Sequence, residues 1–130
     1  MTDPIADFLT QIRNAVKVKK KTCIVPHSKM KAGIAGILKE CGYIRGFSES
    51  EAIAPRKNLT IELKYVDGES AITELHRVSR PGRRLYFGAD EIPKVLGGMG
   101  AGILTTSHGL MTDREARRQH LGGEMVARVW

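Results

Sequence analysis

The stretch from Gly97 to Asp113, Gly-Gly-Met-Gly-Ala-Gly-Ile-Leu-Thr-Thr-Ser-His-Gly-Leu-Met-Thr-Asp, leaves this chain few choices. Gly97, Gly98, Gly100 and Gly102 mark turns and close backbone approach rather than a packed surface of side chains. Ile103-Leu104 begin a short apolar strand that runs into three hydroxyl residues, Thr105, Thr106 and Ser107. His108-Gly109 supply a turn, and Leu110-Met111 a second apolar stub. Thr112 with Glu115 matches a capping box for a short basic helix over Asp113–His120. The tip between the two strands offers hydroxyls and backbone N–H groups, and no strong nucleophile beside a base.

Other chemistries fit this stretch poorly. It is not G-x-G-x-x-G, it follows a helical turn rather than a strand, and no Gly-Lys-Ser/Thr closes it, so a nucleotide-phosphate loop is a weak reading. Thr105–Gly109 lacks the first glycine and the long following helix of a nucleophile elbow. A base for Ser107 would have to be His27, His76 or His120, and none has an evident orienting acid. The histidines and the two cysteines, Cys23 and Cys41, show no metal-ligand spacing. Both cysteines fall in apolar patterns, which predicts buried free thiols in a reducing cytoplasm. The expectation is a chain that is not an enzyme and holds no cofactor and no metal.

Charge points to the class of partner. Against 14 acidic residues stand 21 Lys and Arg, for a net charge of +7. Such a balance favours a polyanion, nucleic acid or an anionic surface. No apolar run approaches a membrane span, and the acidic Thr2-Asp3-Pro4 start is not a secretory signal. Between Asp7 and Glu40 there is no acidic residue, while Arg13, Lys17, Lys19–Lys21, Lys29, Lys31 and Lys39 are basic. Arg77, Arg80, Arg83 and Arg84 form a second basic cluster, and Arg114, Arg117 and Arg118 a third. Basic clusters separated by apolar strands predict one basic face on a folded domain rather than a tail.

The rest of the chain reads as short elements. Asp3-Pro4 opens a helix whose apolar stripe is Ile5, Phe8, Leu9, Ile12 and Val16, flanked by Arg13 and Lys17, and which ends near Val18. Thr22–Val25 is a strand stopped by Pro26. Ser28 caps a second helix with Met30, Ile34, Ile37, Leu38 and Cys41 on its apolar face and Gly42 as its stop. Lys29 and Lys31 sit in its first turn, where the helix dipole disfavours cations, so they are either solvated or paired with an external anion. Tyr43–Phe47 and Leu59–Tyr65 are strands that pair, with a turn over Ala54–Asn58 and a link or hairpin loop over Val66–Ser70. Ala71–Leu75 and Leu85–Phe87 are strand candidates around Pro81-Gly82, a turn that displays Arg80, Arg83 and Arg84 together. Asp90–Leu96 suggests a helical turn ended by Gly97-Gly98, and Glu124–Trp130 a last strand. Tyr86 is a candidate to stack on a base or to pack at a rim. Glu124 is either a surface carboxylate or one that orients a neighbouring cation and accepts from a base amino group or a 2′-OH.

Four motifs taken together resemble one family. They are Thr2–Asp7 with Ile12–Ala15, Arg77–Gly82, Gly102–Asp113 and Gly122–Glu124, and they resemble the bacterial small-subunit ribosomal protein of family eight along essentially the whole chain. The resemblance implies an α+β fold of two small modules packed together. These are an N-terminal α-β-α-β-β module over residues 1–65 and a mainly β module with short helices over 66–130. It implies a primary binder of small-subunit (16S) ribosomal RNA, holding a hairpin and junction of the central domain and helping the platform assemble. It places the main contact at Thr105, Thr106 and Ser107 with Glu124, and further contacts near Lys29 and Lys31. Arg13, Asn14, Arg80, Arg84, Tyr86 and His108 complete the expected RNA-binding set. Small-subunit proteins of families five and twelve are implied neighbours, and the chain's own messenger RNA is a further possible ligand. His108 stands where family members often carry lysine, so the fixed charge of that lysine is absent here. Two rival readings stay open: a free regulator that binds messenger RNA or DNA, and a small hydrolase using Ser107.

Overall fold

In the computed structural model the described residues are 2–53 and 56–130, and they form an α+β fold. The elements are α1 (Pro4–Lys17), β1 (Thr22–Pro26), α2 (Lys29–Glu40), β2 (Ile44–Ile53), β3 (Arg56–Leu63), β4 (Tyr65–Val66), β5 (Glu69–Ser70), β6 (Leu75–Arg77), β7 (Tyr86–Phe87), β8 (Ala101–Thr106), β9 (Gly109–Thr112), α3 (Asp113–Arg118) and β10 (Gly123–Val129). They fall into two compact units, residues 7–73 and residues 2–6 with 74–130. The boundary expected after Tyr65 falls inside β4, and the β4–β5 hairpin belongs to the first unit.

In the first unit an antiparallel sheet is ordered β1-β3-β2. Along β1, Cys23 and Val25 are buried while Thr22, Ile24 and Pro26 are exposed, so one face of the sheet is covered. Leu59, Ile61 and Leu63 of β3 continue that alternation. The helices supply Phe8, Leu9 and Ile12 from α1 and Ile34, Ile37 and Leu38 from α2. Each such side chain contributes about 1.5–3 kcal/mol when fully buried. The caps are those expected. Asp3 Oδ1 accepts from Ala6 N at 3.1 Å, and Ser28 Oγ from Lys31 N at 3.1 Å. Gly42 (φ 82°) ends α2, with Tyr43 N donating to Leu38 O at 2.8 Å.

Several expectations need correction. The strand expected over Tyr43–Phe47 runs from Ile44 to Ile53, because backbone pairing with β3, from Ile44↔Leu63 to Ile53↔Arg56, carries it through the polar Ser-Glu-Ser run. Of the turn expected over Ala54–Asn58, residues 54 and 55 lie outside the described residues, and Arg56–Asn58 are strand. Cys41 is exposed, because it caps the end of α2 rather than joining its buried face. Cys23 is buried as expected, and burial pushes its thiol up against the opposing pull of Lys20.

In the second unit β10 is central. It pairs β8 on one side, and on the other β6 at Ala127–Val129 and β7 at Gly123–Glu124, while β9 extends the sheet beyond β8. A bulge at Val126 breaks the alternation of a regular strand, so Met125, Val126 and Ala127 are all buried. Ile92, Leu104, Met111, Ala116 and Met125 form a core against which Val78, Phe87 and Leu121 pack. The strand expected over Ala71–Leu75 is shifted to Leu75–Arg77 by pairing with β10. The helical turn expected over Asp90–Leu96 is absent. Pro93 disfavours helix at Ile92, and burial of Ile92 and Val95 fixes the path instead. A 3-10 stretch at Val95–Gly98 follows, interrupted by left-handed Leu96 and Gly97. Asp113 is buried at the β9–α3 junction. Its Oδ1 accepts from Gly102 N at 3.0 Å, at a point of β8 that β9 no longer reaches, and its Oδ2 accepts from Arg117 at 2.6 Å.

Candidate nucleic-acid interface

Sheet register assembles the candidate site in the second unit. Glu124 on β10 lies opposite Thr105 on β8 and, on its other side, opposite Tyr86 on β7. Directly opposed residues share a face, so Tyr86, Glu124 and Thr105 form one row across three strands. The adjoining register, Phe87–Gly123 and Leu104–Met125, turns to the other face, where the core lies. Tyr86 is 67% exposed, which leaves its ring face open to a stacking partner.

Glu124 is the anchored member. Its side chain is 13% exposed. Its Oε2 accepts from Ser79 Oγ at 2.5 Å, and Arg84 Nη1 reaches both carboxylate oxygens at 3.3 Å. Ser79 is 0% exposed and also accepts from Leu85 N at 3.1 Å. It therefore closes the base of the loop that carries Arg80, Arg83 and Arg84. Arg80 and Arg83 exchange backbone bonds at 3.0 and 2.9 Å across the Pro81-Gly82 turn, and both side chains are exposed with that of Arg84. The loop is a basic hairpin tied to Glu124 through Ser79 and Arg84. Reasoning from sequence missed Ser79. The signal available was a hydroxyl residue at the entry to a Pro-Gly turn, where such side chains bond nearby backbone amides.

The β8–β9 tip divides its hydroxyls among different tasks. Thr106 Oγ1 donates to Gly109 O at 2.9 Å and accepts from His108 N at 3.1 Å, so it builds the turn. Ser107 and His108 are exposed at the tip. Thr105 Oγ1 is buried, opposite Glu124 in register, without a hydrogen-bond partner among the described residues. In α3 the cap is made by Thr112 Oγ1, which accepts from Glu115 N at 3.2 Å. The Glu115 carboxylate is engaged by Arg118 and Gln119, which hold it down to about 2. The third basic cluster is thus partly neutralised, with Arg117 on Asp113 and Arg118 on Glu115.

The remaining expected residues belong to the first unit. Arg13 on α1 donates to Thr10 Oγ1 at 3.0 Å. Asn14 is exposed and lines an open concavity of about 620 Å³ with Gln11, Val18, Lys20 and Ile24. Lys29 is exposed at the start of α2, whereas Lys31 is buried and its Nζ donates to Pro26 O at 3.1 Å. Two histidines do have acidic partners, contrary to expectation: His27 meets Glu49 at 2.8 Å and His76 meets Glu74 at 3.0 Å. Among the described residues neither imidazole is hydrogen-bonded to Ser107, and no group of His, Cys, Asp and Glu is arranged to hold a metal. No helix of the described residues is long and apolar enough to cross a membrane. The arrangement offers cations, hydroxyls and an aromatic face.

Comparison with known proteins shows the family of the chain. The profile of the family described as Ribosomal protein S8 matches residues 3–130. The chain is 52% identical over 130 residues to a protein of Opitutus terrae, covering all of both chains. It is 53% identical over 130 residues to one of Saccharophagus degradans, covering all of this chain and 98% of the relative. It is 53% identical over 131 residues to one of Rubrobacter xylanophilus, again covering all of this chain and 98% of the relative. All three relatives carry the name small ribosomal subunit protein uS8. With the family profile and full-length relatives in agreement, the chain belongs to the ribosomal protein S8 family.

Proposed function

We propose that this protein is a non-catalytic constituent of the small ribosomal subunit that binds its RNA through the Tyr86–Glu124–Thr105 row and the β8–β9 tip. The observation that carries the reading is the fixed carboxylate of Glu124, held by buried Ser79 and by Arg84 in the middle of that row. Lys and Arg supply sequence-independent attraction to phosphates. The row and the tip supply recognition: the Tyr86 ring for stacking, the exposed Ser107 hydroxyl for a 2′-OH group, and the Glu124 carboxylate, which accepts from an amino group or a 2′-OH. The reading includes a hairpin and junction of the central domain as ligand, help in platform assembly, and proteins of families five and twelve as neighbours. It excludes a free nucleic-acid regulator if the chain cosediments with small subunits in a sucrose gradient.

Glu124→Gln keeps the shape and removes the charge that holds Arg84. Binding to a central-domain hairpin of small-subunit RNA is expected to weaken about tenfold, or about 1.4 kcal/mol, with non-specific duplex RNA unaffected. Equal losses on both RNAs would sink the readout role.

The two lysines of α2 separate in the same assay. Lys29→Ala is expected to reduce the salt slope of binding by about one. Lys31→Ala should leave the slope unchanged and lower the melting temperature, because Lys31 Nζ is bonded to Pro26 O. A slope change for Lys31 and none for Lys29 would reverse these assignments.

A further inference from the structure

We infer that Arg77 and Asp3, neither of which lies in the row itself, are positioning residues for Glu124: together they hold the β10 bulge that turns this carboxylate onto the face shared with Tyr86 and Thr105. The inference rests on the reading of that row as the RNA site.

The bulge decides where Glu124 points. From Val129 back to Ala127, β10 pairs with Ala101 to Ile103 of β8 in one register. Val126 is the extra residue, and beyond it Met125 meets Leu104 and Glu124 meets Thr105. Side chains alternate along a regular strand, and opposed residues share a face. Ala127 shares its face with Ile103, and Thr105 lies on that face two residues further along β8. Counted back from Ala127 without a bulge, Met125 would take this face. Glu124 would turn to the other, where Leu104, Met111 and Ala116 form the core. The extra residue exchanges the two: Met125 enters the core and Glu124 joins Thr105. The orientation of the carboxylate is thus set two residues away from it.

A bulge disrupts the ladder locally, and its backbone groups need partners. The segment that follows β6 supplies them. Val78 N donates to Val126 O at 3.0 Å, and Ser79 N to Met125 O at 2.9 Å. Arg77 stands opposite Ala127, on the face of the row, and its Nη1 donates to the same Val126 O at 2.9 Å. Both lone pairs of the bulge carbonyl are then used. The other edge of the guanidinium meets Asp3, with Nε 3.2 Å from Oδ2 and 3.4 Å from Oδ1. Asp3 Oδ1 also accepts from Ala6 N, so the carboxylate is itself held by the first turn of α1. A planar guanidinium bound at one edge to a carboxylate and at the other to a carbonyl has its orientation fixed. In sequence Arg77 belongs with Arg80, Arg83 and Arg84, but those three are exposed and its side chain is 14% exposed. Its charge is spent on this bridge rather than offered to phosphates. The same segment ends at Ser79, whose hydroxyl donates to Glu124, so bulge and carboxylate are gripped by three successive residues.

The test uses the full chain, two RNAs and two backgrounds. Arg77→Lys keeps the charge but loses the planar fork that spans Asp3 and Val126 O. Asp3→Ser keeps a capping oxygen for α1 and removes the carboxylate. Each is expected to weaken binding to a central-domain hairpin of small-subunit RNA about tenfold, as Glu124→Gln does, with non-specific duplex RNA unaffected. In the Glu124→Gln background the same substitutions should cost less than about twofold, because the charge they position is already gone. A full tenfold loss in that background would make Arg77 and Asp3 independent of Glu124 and overturn the inference. So would equal losses on both RNAs, or no loss in the otherwise unsubstituted chain. No loss from Glu124→Gln alone would instead overturn the reading of the row beneath it. Amide exchange gives a readout that needs no RNA. The Val78 and Ser79 amides should exchange faster in Arg77→Lys and in Asp3→Ser, and stay protected in Glu124→Gln. Unchanged protection in the first two would show that the ion pair does not hold the bulge.

Discussion

Gly123→Ala is expected to destabilise the protein by about 3 kcal/mol. A Cβ at Gly123 would stand 2.3 Å from Thr105 O and 3.1 Å from the Thr105 carbonyl carbon. The obstacle is backbone of the paired strand, so no side-chain rotation removes it. At Gly122 a Cβ would stand 2.5 Å from Phe87 O, so β10 enters the sheet hemmed in on both sides. The methyl group must push β8 away from β10 where Thr105 and Glu124 are paired, and the Tyr86–Glu124–Thr105 row opens with it. Thermal unfolding followed by circular dichroism should show a fall of about 10 °C, and a shift under about 2 °C would contradict the packing argument. Gly109→Ala separates the two reasons a glycine is needed. Gly109 has φ 100° and nothing within 4 Å of the added atom, so it should cost only about 1 kcal/mol, from backbone strain.

Asp113→Ala carries the second large effect, a loss of about 2–3 kcal/mol. The carboxylate is the partner of Gly102 N at 3.0 Å and of Arg117 at 2.6 Å, and the residue is 3% exposed. Alanine leaves the Gly102 N–H unpaired inside the sheet and frees Arg117. Asp113→Asn keeps a carbonyl for Gly102 and should recover about half of the loss. Hydrogen exchange at Gly102 is the direct measurement. Its amide should exchange much faster in the alanine variant and stay protected in the asparagine variant. Protection in both would show that the side chain does not close this ladder position.

The features legible in the sequence are those set by local rules. Asp3, Ser28 and Thr112 cap their helices because a side-chain oxygen satisfies the free N–H groups of the first turn, and that preference needs no tertiary context. The alternation of Leu59, Ile61 and Leu63 likewise declares a strand with one buried face. What failed depended on partners distant in the chain. The strand nature of Ser48–Glu51 comes from pairing with β3 and leaves no apolar trace. The path of Asp90–Leu96 follows burial of Ile92 and Val95 rather than local helix preference. At the candidate site the basic loop and the hydroxyl tip were visible as composition. The alignment of Tyr86, Glu124 and Thr105 is a property of register, and the role of Ser79 depends on Glu124 lying beside it in space. Lys31 and Lys29 are alike in sequence, and only the Pro26 carbonyl against the Lys31 ammonium separates them.

The hydroxyl of Thr106 has one more consequence, and it concerns entropy and timing. Because it closes the β8–β9 turn from within, Ser107 and His108 are ordered before any partner arrives. Ordering one residue of flexible backbone costs about 1–2 kcal/mol, and here that cost falls on folding instead of on association. A partner that meets this tip meets a finished surface. Capture then resembles rigid docking, with little folding left to follow the encounter.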